Sequence, residues 1–91
     1  GDTVRAGIQI VNRLGLHARA AARFVETASR FAAEVTVVNG EESVSGKSIL
    51  GLMMLAAAEG TTLTLLARGP DAEAVIDALA DLVAQRFHEG A

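Results

Sequence analysis

Apolar positions along the chain recur with two different periods, and each change of period marks a change of predicted element. Over residues 4–10 they alternate with polar ones, which is typical of a strand with one buried face. Gly15 interrupts this pattern just before His17. From Ala18 to about Arg30 the apolar positions recur at helical spacing, so an amphipathic helix is predicted to begin directly after the histidine. The apolar positions are Val4, Ala6, Ile8 and Ile10 in the strand and Ala21, Phe24, Val25, Ala28 and Ala32 in the helix.

Three further strands are predicted from the same alternation, over residues 34–38, 43–45 and 61–67. The pair Asn39-Gly40 between the first two is a strong hairpin signal, because both residues tolerate a positive φ. One face of these strands is expected to be buried. Its residues are Val35 and Val37 before the hairpin, and Leu63, Leu65 and Ala67 in the last strand.

Two further helices are predicted in the second half of the chain. The first runs from Ile49 to about Ala58, with Ser48 as its N-cap, and ends at Gly60. The second runs from about Ala72 to Phe87 and follows the cap residue Asp71. The apolar stripe of the second helix is Val75, Ile76, Leu79, Leu82, Val83 and Phe87.

The element order is therefore β-α-β-β-α-β-α. Strands with one apolar face and helices with a single apolar stripe imply an α+β fold in two layers, with the helices on one face of a mainly antiparallel sheet. The opposite face of the sheet is expected to be exposed to solvent. The chain of 91 residues has the length of one domain, 1–91, and shows no internal repeat or linker.

Composition and charge argue against several classes of function. The formal net charge is -3 and no basic cluster occurs, which argues against nucleic acid as a partner. With no Cys there is neither a disulfide framework nor a thiolate metal site. The longest apolar run, over residues 49–58, is too short to span a bilayer, and no signal peptide is visible. We therefore expect a cytoplasmic protein with no membrane partner.

His17 is the strongest candidate for chemistry. It stands at the start of a predicted helix, whose unpaired backbone N–H groups attract anions, and Arg19 adds a two-pronged cationic donor. Imidazole is nucleophilic near neutral pH, so a phosphoryl acceptor is one interpretation and an ordinary surface or capping histidine is the other. Metal binding is disfavoured because the only other histidine, His88, lies at the end of a distant helix. His88, Glu89 and the terminal residues are expected to form a fraying, solvated helix end.

The stretch Gly46-Lys47-Ser48 is similar to the end of a nucleotide-binding phosphate loop. That motif requires glycine at position 41, where this chain has Glu41, and no parallel βαβ unit precedes it, so nucleotide binding is rejected. A phosphate on Ser48 would be compatible with its N-cap position and would repel an acidic partner. The helix that follows is apolar on nearly all sides, so some Ile, Leu and Met side chains are expected to be exposed as a docking patch.

Two stretches together resemble a known family. Residues 14–21 read Leu-Gly-Leu-His-Ala-Arg-Ala-Ala and residues 45–55 read Ser-Gly-Lys-Ser-Ile-Leu-Gly-Leu-Met-Met-Leu. With the β-α-β-β-α-β-α order, they resemble HPr, the histidine-containing phosphocarrier of the bacterial phosphoenolpyruvate:sugar phosphotransferase system, over essentially the whole chain. The resemblance implies an open-faced β-sandwich with three helices on a four-stranded antiparallel sheet. It also implies that His17 accepts a phosphoryl group on Nδ1 from phosphorylated enzyme I and passes it to enzyme IIA proteins, with Arg19 stabilising the phosphate and no cofactor required.

The resemblance assigns roles to the second stretch as well. Ser48 matches the regulatory serine that a bifunctional kinase/phosphorylase modifies in some bacteria. Partners of the family dock on the first two helices, which would enlist Ala22, Ile49, Leu50 and Met53 in this chain. Such a carrier is a phosphotransfer component rather than a stand-alone catalyst. A protein that docks several partners in turn is expected to be a monomer.

Ala20 departs from the family pattern His-x-Arg-Pro. Proline would remove an N–H that has no partner within the helix, so alanine leaves one more N–H to face a phosphate, and phosphotransfer is expected to survive. Alanine here, with the Ser-Gly-Lys-Ser and Met-Met-Leu runs, is similar to members of incomplete or nitrogen-related phosphotransferase systems. The alternative function is therefore a regulatory protein-binding module whose docking is switched by phosphorylation.

Overall fold

The computed structural model describes residues 3–89, and its elements follow the predicted order. A short 3-10 turn is added after the last helix. The elements are β1 (Thr3–Gln9), α1 (Ala18–Ala28), β2 (Glu34–Asn39), β3 (Glu42–Ser45), α2 (Ile49–Met54), β4 (Thr62–Arg68), α3 (Ala72–Ala84) and the 3-10 turn (Arg86–His88).

The four strands form one sheet in the order β1-β4-β2-β3, and every pairing is antiparallel. Buried and exposed side chains alternate along the strands, because successive residues point to opposite faces. The buried set forms one core with the helices; α3 packs on β1 and β4, and α2 packs on β3. The opposite face carries exposed residues such as Arg5 and Gln9 and half-buried ones such as Thr64. The predicted α+β open-faced sandwich is confirmed.

The β2–β3 hairpin is confirmed, but its loop lies one residue later than predicted. Asn39 pairs with Glu42, so the two loop residues are Gly40 and Glu41. Gly40, with φ +62°, supplies the left-handed conformation that a tight hairpin needs at its first loop position. Asn39 belongs to the strand, and its Nδ2 donates to the carbonyl of Leu55 at 3.3 Å.

Helix α2 ends at Met54, so the prediction that it extends to about Ala58 is wrong. Ala56 has φ +51°, a left-handed conformation that cannot continue the helix. The segment beyond it is held by tertiary contacts: Ala57 is buried, and its carbonyl accepts a hydrogen bond from Leu16 N at 2.9 Å. The chain after α2 therefore supports the loop that precedes His17.

The junctions of α1 and α3 with their neighbours also differ from the prediction. Helix α1 ends at Ala28, and Ala32 is exposed while Ala33 is buried, so Ala32 is not part of the apolar stripe. Asp71 occupies the N-cap position of α3 but makes no side-chain cap bond. Its carboxylate instead accepts Ala32 N at 2.8 Å and Ala33 N at 2.7 Å. The hydrogen bond from Ala32, reinforced by that from Ala33, lowers the pKa of Asp71.

The apolar stripe of the last helix is confirmed, because all six of its predicted residues are buried. The helix itself ends at Ala84 and not at Phe87. Arg86, Phe87 and His88 have φ values of 55°, 56° and 60°, so the chain turns left-handed directly after the helix. Phe87 still reaches the core, and the residue after His88 is redirected toward α1.

Candidate functional site

The loop before His17 is fixed by a glycine that meets two separate requirements. Gly15 has φ +70°, which side-chain-bearing residues rarely adopt. A Cβ at this position would also lie 2.5 Å from the carbonyl oxygen of Ala57. The neighbouring Leu16 N donates to that same oxygen at 2.9 Å, so the loop packs directly on the segment after α2. These contacts fix where α1 begins.

His17 is the N-cap of α1, as the predicted helix start implied. Its backbone is extended (φ -77°, ψ 178°), its carbonyl accepts Ala21 N at 2.8 Å, and its Nδ1 accepts Arg19 N at 3.3 Å. The imidazole is 28% exposed. No residue in the first turn of α1 is acidic, so the helix itself adds no negative charge beside the N–H groups at its start. Nδ1 therefore lies among N–H groups suited to an anion.

The other ring nitrogen is already bonded. His17 Nε2 contacts Glu89 Oε1, and Asn12 Nδ2 donates to the same carboxylate oxygen at 3.0 Å. The Glu89 side chain is only 11% exposed and Asn12 is fully buried. The prediction that Glu89 belongs to a solvated, fraying end is wrong. The terminal residues Gly90 and Ala91, included in that prediction, lie outside the described residues.

A left-handed turn brings Glu89 to His17. Three consecutive left-handed residues cost about 3–6 kcal/mol, at roughly 1–2 kcal/mol each. Burial of Phe87 returns about 1.5–3 kcal/mol. A hydrogen bond from Arg23 Nη1 to the Phe87 carbonyl returns about 1.5–3 kcal/mol more. The burial of Phe87 and the hydrogen bond from Arg23 together match the cost of the left-handed turn. These two residues therefore hold Glu89 beside His17.

A cleft of about 320 Å³ lies beside His17 and has a cationic rim. Arg19 is exposed and Arg23 is half-buried, and neither is paired with a carboxylate in the described part of the chain. His88 is exposed at the same rim. Guanidinium groups beside a helix start and an accessible imidazole nitrogen suit a phosphate or phosphoryl group. The cleft is lined by Arg13, Leu14, His17, Arg19, Arg23, His88 and Glu89.

Ser48 is the N-cap of α2, and this prediction is confirmed. Its Oγ accepts Gly51 N at 3.0 Å, and the side chain is half-buried. Of the six residues of α2, only Leu52 is buried. The other large apolar residues of this helix are exposed and lie beside α1, which packs against α2. They are Ile49 (42% exposed), Leu50 (69%), Met53 (41%) and Met54 (69%).

We call the exposed residues Ile49, Leu50, Met53 and Met54 of α2 the apolar patch; Met54, and Leu14 in the loop before His17, were not included in the predicted docking set. Leu14 is 69% exposed in the loop before His17, and Met54 is equally exposed at the end of α2. The exposure of Leu14 could have been predicted, because it is an apolar residue between Arg13 and Gly15 in a loop. Ala22, which was included in the predicted docking set, is exposed on α1. Ala20, the departure from the family pattern, is fully buried.

Sequence reasoning also missed Asn12, Arg23 and Glu89. Arg23 and Asn12 read as ordinary polar positions of the helix and strand patterns, and nothing local indicates their partners 64 and 77 residues away.

Within residues 3–89 no group of three or more His, Cys, Asp or Glu side chains could hold a metal ion. Over the same span, every helix is too short or too polar to cross a membrane.

The fold and the site together define a small α+β protein with a helix-capping histidine in a cationic cleft. The family model described as "PTS HPr component phosphorylation site" matches residues 4–85. The phosphocarrier protein HPr of Neisseria meningitidis is 49% identical over 96% of this chain and 98% of its own length. The phosphocarrier protein NPr of Shewanella violacea is 50% identical over 90% of each chain.

A solved structure agrees with these sequence matches. HPr from Thermoanaerobacter tengcongensis superposes with a TM-score of 0.91 at 42% identity, covering 97% of this chain and 99% of its own. The chain belongs to the HPr family, the histidine-containing phosphocarriers of the bacterial phosphotransferase system. The predicted family is confirmed, and the relatives include its NPr branch.

Proposed function

We propose that this phosphocarrier accepts a phosphoryl group on His17 from phosphorylated enzyme I and passes it to enzyme IIA-type proteins. The observation that carries the proposal is the environment of the imidazole. Its Nε2 is bonded to Glu89, while its Nδ1 has only a long hydrogen bond, 3.3 Å, from Arg19 N. This arrangement supports Nδ1 as the nitrogen that attacks.

The helix start and Arg19 share the work of stabilising the transferred group. A phosphoryl group on a protein side chain carries about 1.5–2 negative charges near neutral pH. The Arg19 N–H that meets Nδ1 would turn to a phosphoryl oxygen, and its guanidinium would supply a two-pronged donor from the exposed rim. The partners contribute the remaining groups, so the carrier alone turns over nothing.

The apolar patch is proposed as the docking surface for these partners. Ala22, Ile49, Leu50 and Met53 are the predicted members of this docking surface, and the exposure of Leu14 and Met54 supports adding both. Leu14 lines the cleft that holds His17, so a partner covering the patch would reach the phosphoryl group. We expect the carrier to act in the cytoplasm as a monomer, with this surface free for each partner in turn.

Ser48 is proposed as a regulatory site for a kinase/phosphorylase. Its Oγ lies at the start of α2, directly before two exposed docking residues, Ile49 and Leu50. Phosphate there would place about two negative charges at the edge of an apolar surface. Docking of an acidic or apolar partner face would weaken, while the N-cap hydrogen bond to Gly51 N would be kept.

A second candidate function is a regulatory module of an incomplete or nitrogen-related phosphotransferase system, acting by phosphorylation-switched docking. Ala20 in place of proline and the similarity to an NPr protein favour it. Both functions require phosphorylation of His17, so they differ in the recipient and not in the site. The two functions are distinguished by measuring the rate of phosphoryl transfer from this protein to sugar-type and to nitrogen-type enzyme IIA proteins.

The phosphocarrier proposal is tested by incubation with enzyme I and radiolabelled phosphoenolpyruvate. We expect acid-labile, base-stable label on the wild type and none on His17→Ala. His88→Ala is the matched control, since it removes the other histidine of the cleft, and it should keep the label. Absence of label on the wild type with a competent enzyme I would contradict the proposal.

A further inference from the structure

The Glu89 carboxylate fixes which ring nitrogen of His17 carries the proton. A carboxylate only accepts hydrogen bonds, so the nitrogen in contact with Glu89 Oε1, Nε2, must be the protonated one. In a neutral imidazole the other nitrogen then has a free lone pair. Nδ1 indeed accepts a hydrogen bond, from Arg19 N. The two contacts, on opposite sides of the ring, require the same tautomer.

Asn12 holds this carboxylate in place. Its Nδ2 donates to the Gly15 carbonyl at 2.7 Å and to Glu89 Oε1 at 3.0 Å. Both partners are acceptors, so the orientation of the amide is defined by its NH₂ group. The amide is fully buried, and within residues 3–89 its Oδ1 has no hydrogen-bond partner. Asn12 therefore links the loop before His17 to the C-terminal turn.

The backbone conformation before Glu89 also supports a role for its carboxylate at His17. Arg86, Phe87 and His88 form a run of left-handed residues, a conformation that persists only where its surroundings hold it. The burial of Phe87 and the hydrogen bond from Arg23 hold it here. The outcome of this costly turn is that a largely buried carboxylate reaches the imidazole. An ordinary helix end would leave Glu89 in solvent.

We propose that Glu89 and Asn12 are a positioning pair that keeps His17 in the Nε2–H tautomer and stabilises the positive charge of its ring during phosphoryl transfer. This inference rests on the proposed function. The Nδ1 lone pair forms the bond to phosphorus, and the bond from phosphorus to the phosphorylated donor protein breaks, its electron pair staying with the donor. Nε2 keeps its proton, so the ring becomes cationic beside the carboxylate. Onward transfer returns the electron pair to Nδ1, and no proton has to leave in either direction.

The tautomer is tested directly by ¹⁵N NMR of His17 at about pH 8, where imidazoles in general are neutral. We expect the Nε2–H form, with a downfield and slowly exchanging proton, in the wild type and in Glu89→Gln, whose amide oxygen still accepts. Glu89→Ala should show a tautomer mixture and a rapidly exchanging proton. Glu73→Ala, at the opposite end of α3, is the control and should match the wild type. Identical spectra for the wild type and Glu89→Ala would overturn the proposal.

The charge is tested by the rate of phosphoryl acceptance from phosphorylated enzyme I. We expect Glu89→Ala to slow acceptance about tenfold, the effect of losing one charge-assisted hydrogen bond. Glu89→Gln, which keeps the hydrogen bond without the charge, should fall between the two. Glu89→Ala should lower the melting temperature, because the buried Asn12 Nδ2 loses one of its two acceptors, so the rates are compared on folded protein well below the melting temperature of each variant. Equal rates for the wild type and Glu89→Ala would overturn the positioning pair and leave the phosphocarrier proposal intact, whereas an unlabelled wild type would overturn the phosphocarrier proposal itself.

The part of Asn12 is tested by a double-mutant comparison. If Asn12 acts through the carboxylate, Glu89→Ala should slow transfer less in an Asn12→Ala background than in the wild type. Fully additive effects would contradict a role through Glu89. The Glu89 variants decide the proposal on their own if Asn12→Ala fails to fold.

Discussion

The starts of α1 and α2 share one local feature, a side-chain N-cap, at two different proposed sites. Each helix begins at a side-chain N-cap, His17 or Ser48, and each cap follows a tightly packed glycine two residues earlier. Around His17 stand arginines and a carboxylate supplied by the C-terminal turn; around Ser48 stand exposed Ile and Leu side chains. The N-cap position thus fixes where the side-chain atom lies, while residues distant in sequence determine the charge and polarity around it.

The start of α3 differs from both, because its cap residue neither caps the helix through its side chain nor lies at a proposed site. Asp71 occupies the N-cap position, yet its carboxylate binds the N–H groups of Ala32 and Ala33 in the loop after α1. A residue type well suited to capping is thus used to join two elements. Three helix starts with suitable cap residues therefore have three different roles in one small fold.

Glycine substitution should give the largest effect and should separate the two caps. Gly15→Ala introduces a side chain at positive φ and against a backbone carbonyl, so we expect a loss of about 2–4 kcal/mol in the free energy of unfolding. Gly46→Ala would meet Val35 Cγ1 at 2.5 Å, but Gly46 has no positive φ and the contact is with a side chain and not with a backbone carbonyl, so its loss should be smaller. Urea denaturation of both variants measures the difference. A larger loss for Gly46→Ala would contradict the account of the His17 loop.

Removal of Arg19 should affect transfer without affecting the fold. We expect Arg19→Ala to slow phosphoryl acceptance about tenfold, since one charge-assisted donor to the phosphoryl oxygens is lost. The control is Arg30→Ala, which removes an exposed arginine just beyond α1 that pairs with Glu26. Rapid-quench labelling and thermal melting are measured on both. Unchanged labelling rates in Arg19→Ala would remove its assigned role.

Two substitutions at Ser48 should separate its capping role from its proposed regulatory role. Ser48→Ala removes the hydrogen bond to Gly51 N and should cost about 1 kcal/mol of stability while leaving the docking surface uncharged. Ser48→Asp retains an acceptor for the cap and should keep the melting temperature close to that of wild type while weakening coupling to enzyme I. Calorimetry measures the stability of both variants, and labelling rates measure their coupling to enzyme I. A large loss of stability in Ser48→Asp would contradict the assigned cap geometry.

Asp71 should give the smallest effect, visible mainly as a pH dependence. Hydrogen bonds from Ala32 and Ala33 lower the pKa of Asp71 below its usual 3.8 in the folded state. Its stabilising contribution is therefore complete above that value and is lost as the pH falls through the lowered pKa. The melting temperature of Asp71→Asn should lie below that of the wild type at neutral pH, and the difference should shrink in acid. A difference that grows on acidification would contradict this assignment.

Local signals were sufficient to predict the order of the elements and the N-caps at His17 and Ser48. The change of period at His17, the cap at Ser48 and the apolar stripe of α3 all depend on neighbours within a few residues. The family motifs added the proposed role of His17 because they lie at a fixed spacing. The effect of Ala20 could not be predicted in the same way. The sequence shows that alanine replaces the family proline, but its effect on transfer depends on how its N–H meets a bound phosphoryl group.

What could not be predicted depends on contacts between distant segments. Glu89 reaches His17 because Phe87 is buried and Arg23 binds its carbonyl, which stabilises a left-handed turn that no sequence pattern indicates. Helix α2 ends early because Ala57 is recruited by Leu16. In each case a tertiary contact overrides the local preference for continuing a helix.

We propose that the phosphoryl group resides on Nδ1 of His17, while Nε2 stays hydrogen-bonded to Glu89. The most direct measurement is a ³¹P–¹⁵N correlation NMR spectrum of the ¹⁵N-labelled protein after phosphorylation by enzyme I and phosphoenolpyruvate. We expect a single phosphorus signal coupled to Nδ1 of His17. A signal coupled to Nε2, or one assigned to His88, would contradict it.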